Sequence, residues 1–193
     1  MSENKLFIPI ILGTPRKERQ SENVAHWVFS KMQEHDEIEA ELVDVRDFKL
    51  PHDHYGQEIK DDFPEWRDAM TRADGLVIVS PEYNHGYPGA LKSVLDLLLK
   101  EYIHKPVAFV GVSAQVWGGT RVIEAMVPMV RELGLVPTFT DLNFPRVYTQ
   151  FDGDGNLLDA AYESRIKAFL EELVWMAKCL RWGRENLSSK YHQ

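Results

Sequence analysis

Three stretches of the chain collect residue types that ligand chemistry needs. The first is Gly13-Thr14-Pro15-Arg16-Lys17-Glu18-Arg19-Gln20-Ser21-Glu22-Asn23, which lies between an apolar run and a helical stripe. A helix opening there aims its free N–H groups and positive dipole end at the loop, and such termini bind phosphate. The hydroxyls of Thr14 and Ser21 and the cations of Arg16, Lys17 and Arg19 suit a dianion. The same stretch also reads as a solvated basic turn with Ser21 as helix N-cap. It contains neither GxxxxGK[ST] nor GxGxxG, which disfavours a P-loop NTPase and a Rossmann dinucleotide site.

The second stretch is Pro81-Glu82-Tyr83-Asn84-His85-Gly86-Tyr87-Pro88-Gly89. Prolines and glycines around aromatics make a stiff loop that holds backbone N–H and C=O groups in place, as the rim of a planar heteroaromatic ligand requires. A turn with buried tyrosines accounts for the same residues. The third, Ser113-Ala114-Gln115-Val116-Trp117-Gly118-Gly119-Thr120, ends in glycines at a helix start. Backbone N–H groups there could stabilise negative charge on a ligand carbonyl, and a plain strand–helix turn is the alternative. No GxSxG motif occurs in the chain, and no Cys–His pair suggests a nucleophile.

The elements that must carry these loops alternate short apolar runs with helical stripes. Leu6–Leu12, Glu39–Val45, Gly75–Ser80, Val107–Ser113 and Leu135–Thr140 read as strands. Helical spacing is shown by Val24, Trp27, Val28 and Met32, and by Leu91, Val94, Leu95, Leu98 and Leu99. It recurs in Val122, Ile123, Met126 and Val130, and in Ile166, Phe169, Leu170, Leu173, Val174 and Ala177. A shorter helix is expected over Phe63–Met70, with Pro64 in its first turn, and Gly183 is a plausible stop for the last one. Pro128 should kink or divide the helix that holds it. Strands that are continuously apolar imply a parallel sheet covered on both faces, a doubly wound α/β fold in one domain. Ligands of such sheets bind beyond the carboxyl ends of the strands, where the three loops should meet. Pro9 conflicts with a central first strand, so either the strand begins near Ile10 or an irregularity spares the missing donor.

Composition bounds the partners. The 193 residues are 44% apolar and 27% charged, which is globular, and 22 Lys plus Arg against 30 Asp plus Glu leave a net charge of −8. That balance argues against nucleic acid. A single cysteine, Cys179, excludes an internal disulfide and reads as a small buried hydrophobe in a helix. No apolar stretch approaches a membrane span, and Met1–Lys5 lacks the features of a secretory signal, so a soluble cytoplasmic protein without a membrane partner is expected.

The segment Pro81, Glu82, Tyr83, Asn84, Pro88, Gly89, Leu91, Lys92 and Asp96, together with Gly13-Thr14-Pro15-Arg16, resembles the signatures of the NADPH-dependent FMN reductase family of flavodoxin-like quinone and azo-compound reductases. The resemblance extends over about residues 5–180, with a tail at about 184–193. It implies a five-stranded parallel sheet of order 2-1-3-4-5 and non-covalent FMN. Thr14, Arg16, Ser21 and Asn23 would surround the phosphate, Pro81, Glu82, Tyr83 and Asn84 would lie along the isoalloxazine, and Ser113, Trp117, Gly118 and Gly119 would lie near its pyrimidine end. The spacing from Arg16 to Ser21 exceeds the common family spacing and leaves open which hydroxyl holds the phosphate.

The implied activity is ping-pong hydride transfer from NADPH or NADH to quinones, azo compounds, flavins or similar small acceptors. A flavin-binding electron carrier or redox-sensing module is the alternative. No residue is assigned as a certain catalytic acid or base. His85 is either a proton donor to the acceptor or a rim histidine without a chemical role. The resemblance also implies a homodimer or homotetramer, and apolar surplus at Leu98, Leu99 and Met129 fits one. A signalling receiver is disfavoured because Gly13-Thr14 and Ser80-Pro81 stand where acidic residues are needed. Asp152-Gly153-Asp154-Gly155-Asn156 reads as a polar turn in preference to a calcium loop, and His52-Asp53-His54 as an exposed loop in preference to a metal site, so no metal is expected. Arg181, Arg184 and Lys190 read as a solvated basic tail.

Overall fold

The computed structural model describes residues 5–51, 53 and 56–191. The histidines of His52-Asp53-His54 therefore lie outside the described residues. The elements run β1 (Leu6–Leu12), α1 (Ser21–Glu34), β2 (Ile38–Asp44), α2 (Pro64–Arg72), β3 (Leu76–Pro81), α3 (Gly89–Leu95), β4 (Pro106–Val112), α4 (Thr120–Glu132), β5 (Val136–Pro137), β6 (Leu142–Phe144) and α5 (Ala161–Asn186). The strands pair in parallel in the order β2-β1-β3-β4-β5, and β6 also pairs with β4. This is the doubly wound flavodoxin-like sheet expected from the sequence.

Alternate side chains of the strands feed two cores. Ile8, Ile10, Val77, Val79, Ala108 and Val110 pack with α1 and α5. Phe7, Ile11, Leu76, Ile78, Val107 and Phe109 pack with α2, α3 and α4. Every residue of β1, β3 and β4 is buried, which is why those strands read as unbroken apolar runs.

Pro9 lies inside β1 without breaking it. Phe7 turns its N–H and C=O away from β2, to the Asp74 carboxylate (3.2 Å) and the Asp74 N–H (2.7 Å). Pro9, two residues on, faces the same side, and the β1–β3 ladder begins only at Ile10. The missing donor thus falls just before that ladder.

Several expectations need correction. The fifth strand is two pieces: Pro137 pairs with Val107 and Leu142 with Val110, so five steps on one side match three on the other. The excess residues bulge outward, leaving Phe139 91% exposed. Helix α3 stops at Leu95; Leu98 is buried in the turn that follows and offers no surface, while Leu99 and Met129 are partly buried against the core. Pro128 does not divide α4. Gly183 does not end α5, which continues to Asn186 because Arg181 and Arg184 anchor it: Arg184 Nη2 donates to Asp74 Oδ1 (3.0 Å) and Arg181 Nη1 to Asp74 Oδ2 (3.3 Å). Those arginines are struts, not a frayed tail. Cys179 is exposed on α5 because it falls outside the buried Leu173, Val174 and Ala177 stripe. Residues 152–156 form a turn closed on itself, with Asp152 Oδ1 accepting from the N–H groups of Asp154 (3.0 Å) and Asn156 (2.8 Å). No described helix is long and apolar enough to cross a membrane.

Candidate functional site

The chain runs from β1 to β2 on one side and then crosses back to β3 on the other, so the order reverses between β1 and β3. At their carboxyl ends a cleft of about 280 Å³ is lined by residues 16–21, 81–83 and 112–114, and by Val147 and Tyr148. The loops after β1, β3 and β4 meet there, as the fold requires. The last two residues were not foreseen: they follow β6, and Val147 is drawn in because its N–H donates to Ser113 O (3.1 Å). A larger hollow of about 630 Å³, lined by Phe48, Phe63 and Trp66 among others, lies between β2 and α2 and away from these loops.

The first loop leaves β1 tightly, with Gly13 N–H donating to Val79 O (2.9 Å). The buried Thr14 hydroxyl is bonded to the Tyr83 hydroxyl (3.0 Å) and accepts from Arg16 N–H (3.3 Å), which joins the first loop to the second. The exposed Arg16 guanidinium lies 5.6 Å from the Tyr83 ring centroid. Ser21 is the first residue of α1; Gln20 takes the cap position, and its side chain makes no cap bond. The Ser21 side chain therefore does not act as N-cap. It is 2% exposed, and its Oγ has no hydrogen-bond partner, although it lines the cleft. Buried hydroxyls are normally partnered, so this one, beside the cleft, is free to donate to a ligand acceptor.

Arg19 does not share the expected role of Arg16 and Lys17. Its side chain is buried and donates to Thr14 O, to both Asp44 carboxylate oxygens and to Glu22. Asn23 faces another hollow, between α1 and the 154–157 turn, with His26 and Trp27.

The second loop leaves β3 at Pro81, and Glu82 N–H donates to Val112 O (2.8 Å), tying it to β4. Tyr83 and Gly86 exchange two backbone hydrogen bonds of 2.9 Å each, while Asn84 (φ 49°) and His85 (φ 66°) both occupy the left-handed region. That is a type I′ turn built without glycine at its centre. Its cost of about 1–2 kcal/mol per residue has to be met by the surrounding fold. Asn84 and His85 are exposed at its tip, and the tyrosines on either side are half-buried. Glu82 is nearly buried: Oε1 accepts from Arg121 Nη1 (3.5 Å), and Oε2 is buried without a partner.

In the third loop Ser113 lines the cleft, with its N–H donating to Phe144 O (3.1 Å) and its Oγ to Gln115 O (2.8 Å). Trp117 is exposed, and the Arg121 guanidinium covers its ring at 4.6 Å. Gly118 and Gly119 do not line the cleft. Both have positive φ and are buried against β4, where a Cβ on Gly119 would come within 2.6 Å of the Gly111 backbone. Their size lets the start of α4 close onto the sheet, and Asn143 Nδ2 holds Gly118 O (3.2 Å).

Comparison with known proteins agrees with this arrangement. The family described as NADPH-dependent FMN reductase matches residues 7–148. The chain is 36% identical over 121 residues to an NADPH azoreductase from a Bacillus species, a match covering 61% of this chain and 64% of that one. It is 26% identical over 181 residues to a 2-hydroxy-1,4-benzoquinone reductase from a Burkholderia species, covering 86% and 93%. In fold it resembles FerB, a flavoenzyme NAD(P)H:(acceptor) oxidoreductase from Paracoccus denitrificans, with a TM-score of 0.74 at 22% identity over 90% of this chain and 98% of that one. With three loops converging on a cleft between β1 and β3 and the family match spanning most of the sheet, the chain belongs to the NADPH-dependent FMN reductase family.

Proposed function

We propose that the chain is an FMN-dependent NAD(P)H oxidoreductase that passes two electrons to small acceptors such as quinones and azo compounds. The carrying observation is the Ser21 hydroxyl, buried and without a partner, at the positive end of α1 on the wall of the cleft. A phosphate oxygen is the acceptor that this donor and helix terminus suit. The residues present fit FMN: Ser21, Thr14 and Arg16 would hold the phosphate, with residues 81–84 along the ring system and Ser113 on the β4 side. Asn23, Gly118 and Gly119 lie outside the residues that line the cleft. The chemistry supplied by bound FMN is two-electron transfer, with NAD(P)H oxidised and the acceptor reduced in turn at one place.

The protein's part is binding, orientation and electrostatics. Thr14 and Tyr83 hold two walls together through their hydroxyls, and the type I′ turn keeps residues 83–86 in one conformation. Glu82 fixes Arg121 at the start of α4. His85 is carried at the exposed tip of that turn, where it can meet an acceptor from solvent. The reading takes residues 1–193 as one cytoplasmic domain that associates as a dimer or tetramer.

The test is the visible spectrum of the purified protein, followed by steady-state NAD(P)H oxidation with a quinone. Flavin absorbance and sustained turnover are expected. No flavin bands, even after FMN is added, would remove the proposal, and flavin without turnover would leave an electron carrier.

A further inference from the structure

The eight residues between β1 and α1, 13–20, contain no regular structure, yet their carbonyls are held. Arg46, just past β2, donates from Nε to Pro15 O (3.1 Å) and from Nη2 to Arg16 O. Arg19 donates to Thr14 O. The two arginines share one base: Asp44 Oδ1 accepts from Arg19 Nη1 (2.7 Å) and from Arg46 N–H (2.9 Å). Three successive carbonyls, those of Thr14, Pro15 and Arg16, are thereby bonded, and neither Arg46 nor Asp44 lines the cleft.

In a trans peptide the C=O and the following N–H point opposite ways. Turning Pro15 O and Arg16 O toward Arg46 therefore turns the N–H groups of Arg16 and Lys17 the other way. The Arg16 N–H does point to the Thr14 hydroxyl on the Tyr83 side, as this requires. Resting on the reading that FMN occupies the cleft, we infer that Arg46, based on Asp44 with Arg19, is a positioning residue for the flavin phosphate. It keeps the loop's carbonyl oxygens away from the anion and its amide hydrogens toward it. Burial raises the Asp44 carboxyl, but the Arg19 and Arg46 donors outweigh this and hold it below the ordinary aspartate range, so the base stays charged at neutral pH.

A phosphate-positioning residue and a general strut differ in what they do to riboflavin, which lacks the phosphate. Dissociation constants for FMN and riboflavin, from flavin fluorescence quenching, are compared for the wild type, Arg46→Ala, Arg46→Gln and Arg46→Lys. Both neutral variants should weaken FMN roughly tenfold, the effect of removing two modest hydrogen bonds, with riboflavin within twofold. Arg46→Lys should recover part of the loss. Unchanged FMN affinity, or equal weakening of both flavins in both neutral variants, overturns the inference while leaving the proposed function standing. A wild type that binds neither flavin overturns the function and this inference with it.

Discussion

Replacing Ser21 by alanine should move stability and ligand affinity in opposite directions. In the flavin-free protein Ser21 Oγ is a buried hydroxyl without a partner, a state that costs about 1–3 kcal/mol. Alanine removes that cost and adds a few tenths of a kcal/mol of helix propensity at the first position of α1. A net gain of about 1 kcal/mol in a chain of 193 residues corresponds to a rise of about 2–4 °C in Tm. With FMN the sign reverses, because the hydroxyl would donate to a charged phosphate oxygen at about 1.5–3 kcal/mol. Its loss should weaken FMN by about 10- to 150-fold. The assay pairs thermal unfolding of the stripped protein with a fluorescence titration of FMN. Thr14→Val is the control: its hydroxyl already bonds Tyr83, so that variant should lose stability in the stripped protein. A Ser21→Ala protein that is less stable when stripped, or that keeps wild-type FMN affinity, would refute the reasoning.

Other consequences follow from the packing. Gly119→Ala, with φ +82° and a Cβ driven into the Gly111–Val112 backbone, should cost about 2–5 kcal/mol in denaturant unfolding, whereas Gly153→Ala, with open space around it, should stay within about 0.5 kcal/mol. Asp74→Ala removes the carboxylate partner of Arg181 and Arg184 and the acceptor of the Phe7 N–H, and should lose about 3 kcal/mol, with unaltered stability refuting the strut at the end of α5. Lys105 is lowered to about 8 by burial and the neighbouring Arg184, although it donates to the Met70 and Thr71 carbonyls. Between about pH 8 and 10.5 the unfolded state then binds the extra proton at this site, so stability relative to Lys105→Met should rise with pH across that window. Parallel pH profiles of the two proteins would contradict this.

Much of the architecture is legible because burial is periodic along the chain. Apolar runs at β1, β3 and β4 and the stripes of α1, α4 and α5 need only local spacing to be read. The two proline-bearing loops and the glycine pair advertise themselves by conformational demand. What was misread depends on neighbours. Leu98 continues a helical spacing, yet α3 has ended before it, and the side chain is buried from a turn. Gly183 is a weak helix former, but the arginines flanking it find Asp74, and their anchoring outweighs local propensity.

The clearest case is the set of cations in the first loop. By itself the sequence determines that Arg16, Lys17 and Arg19 stand between a strand and a helix start, where an anion is suited. Only the tertiary structure decides between them. The parallel register sets Leu12 beside Asp44, which gives the buried Arg19 a half-buried carboxylate and leaves Arg16 over Tyr83 at the cleft. A charged side chain takes its role from the partner within reach, and that partner is set by strand register across many residues of chain, while apolar burial is set by spacing over a few.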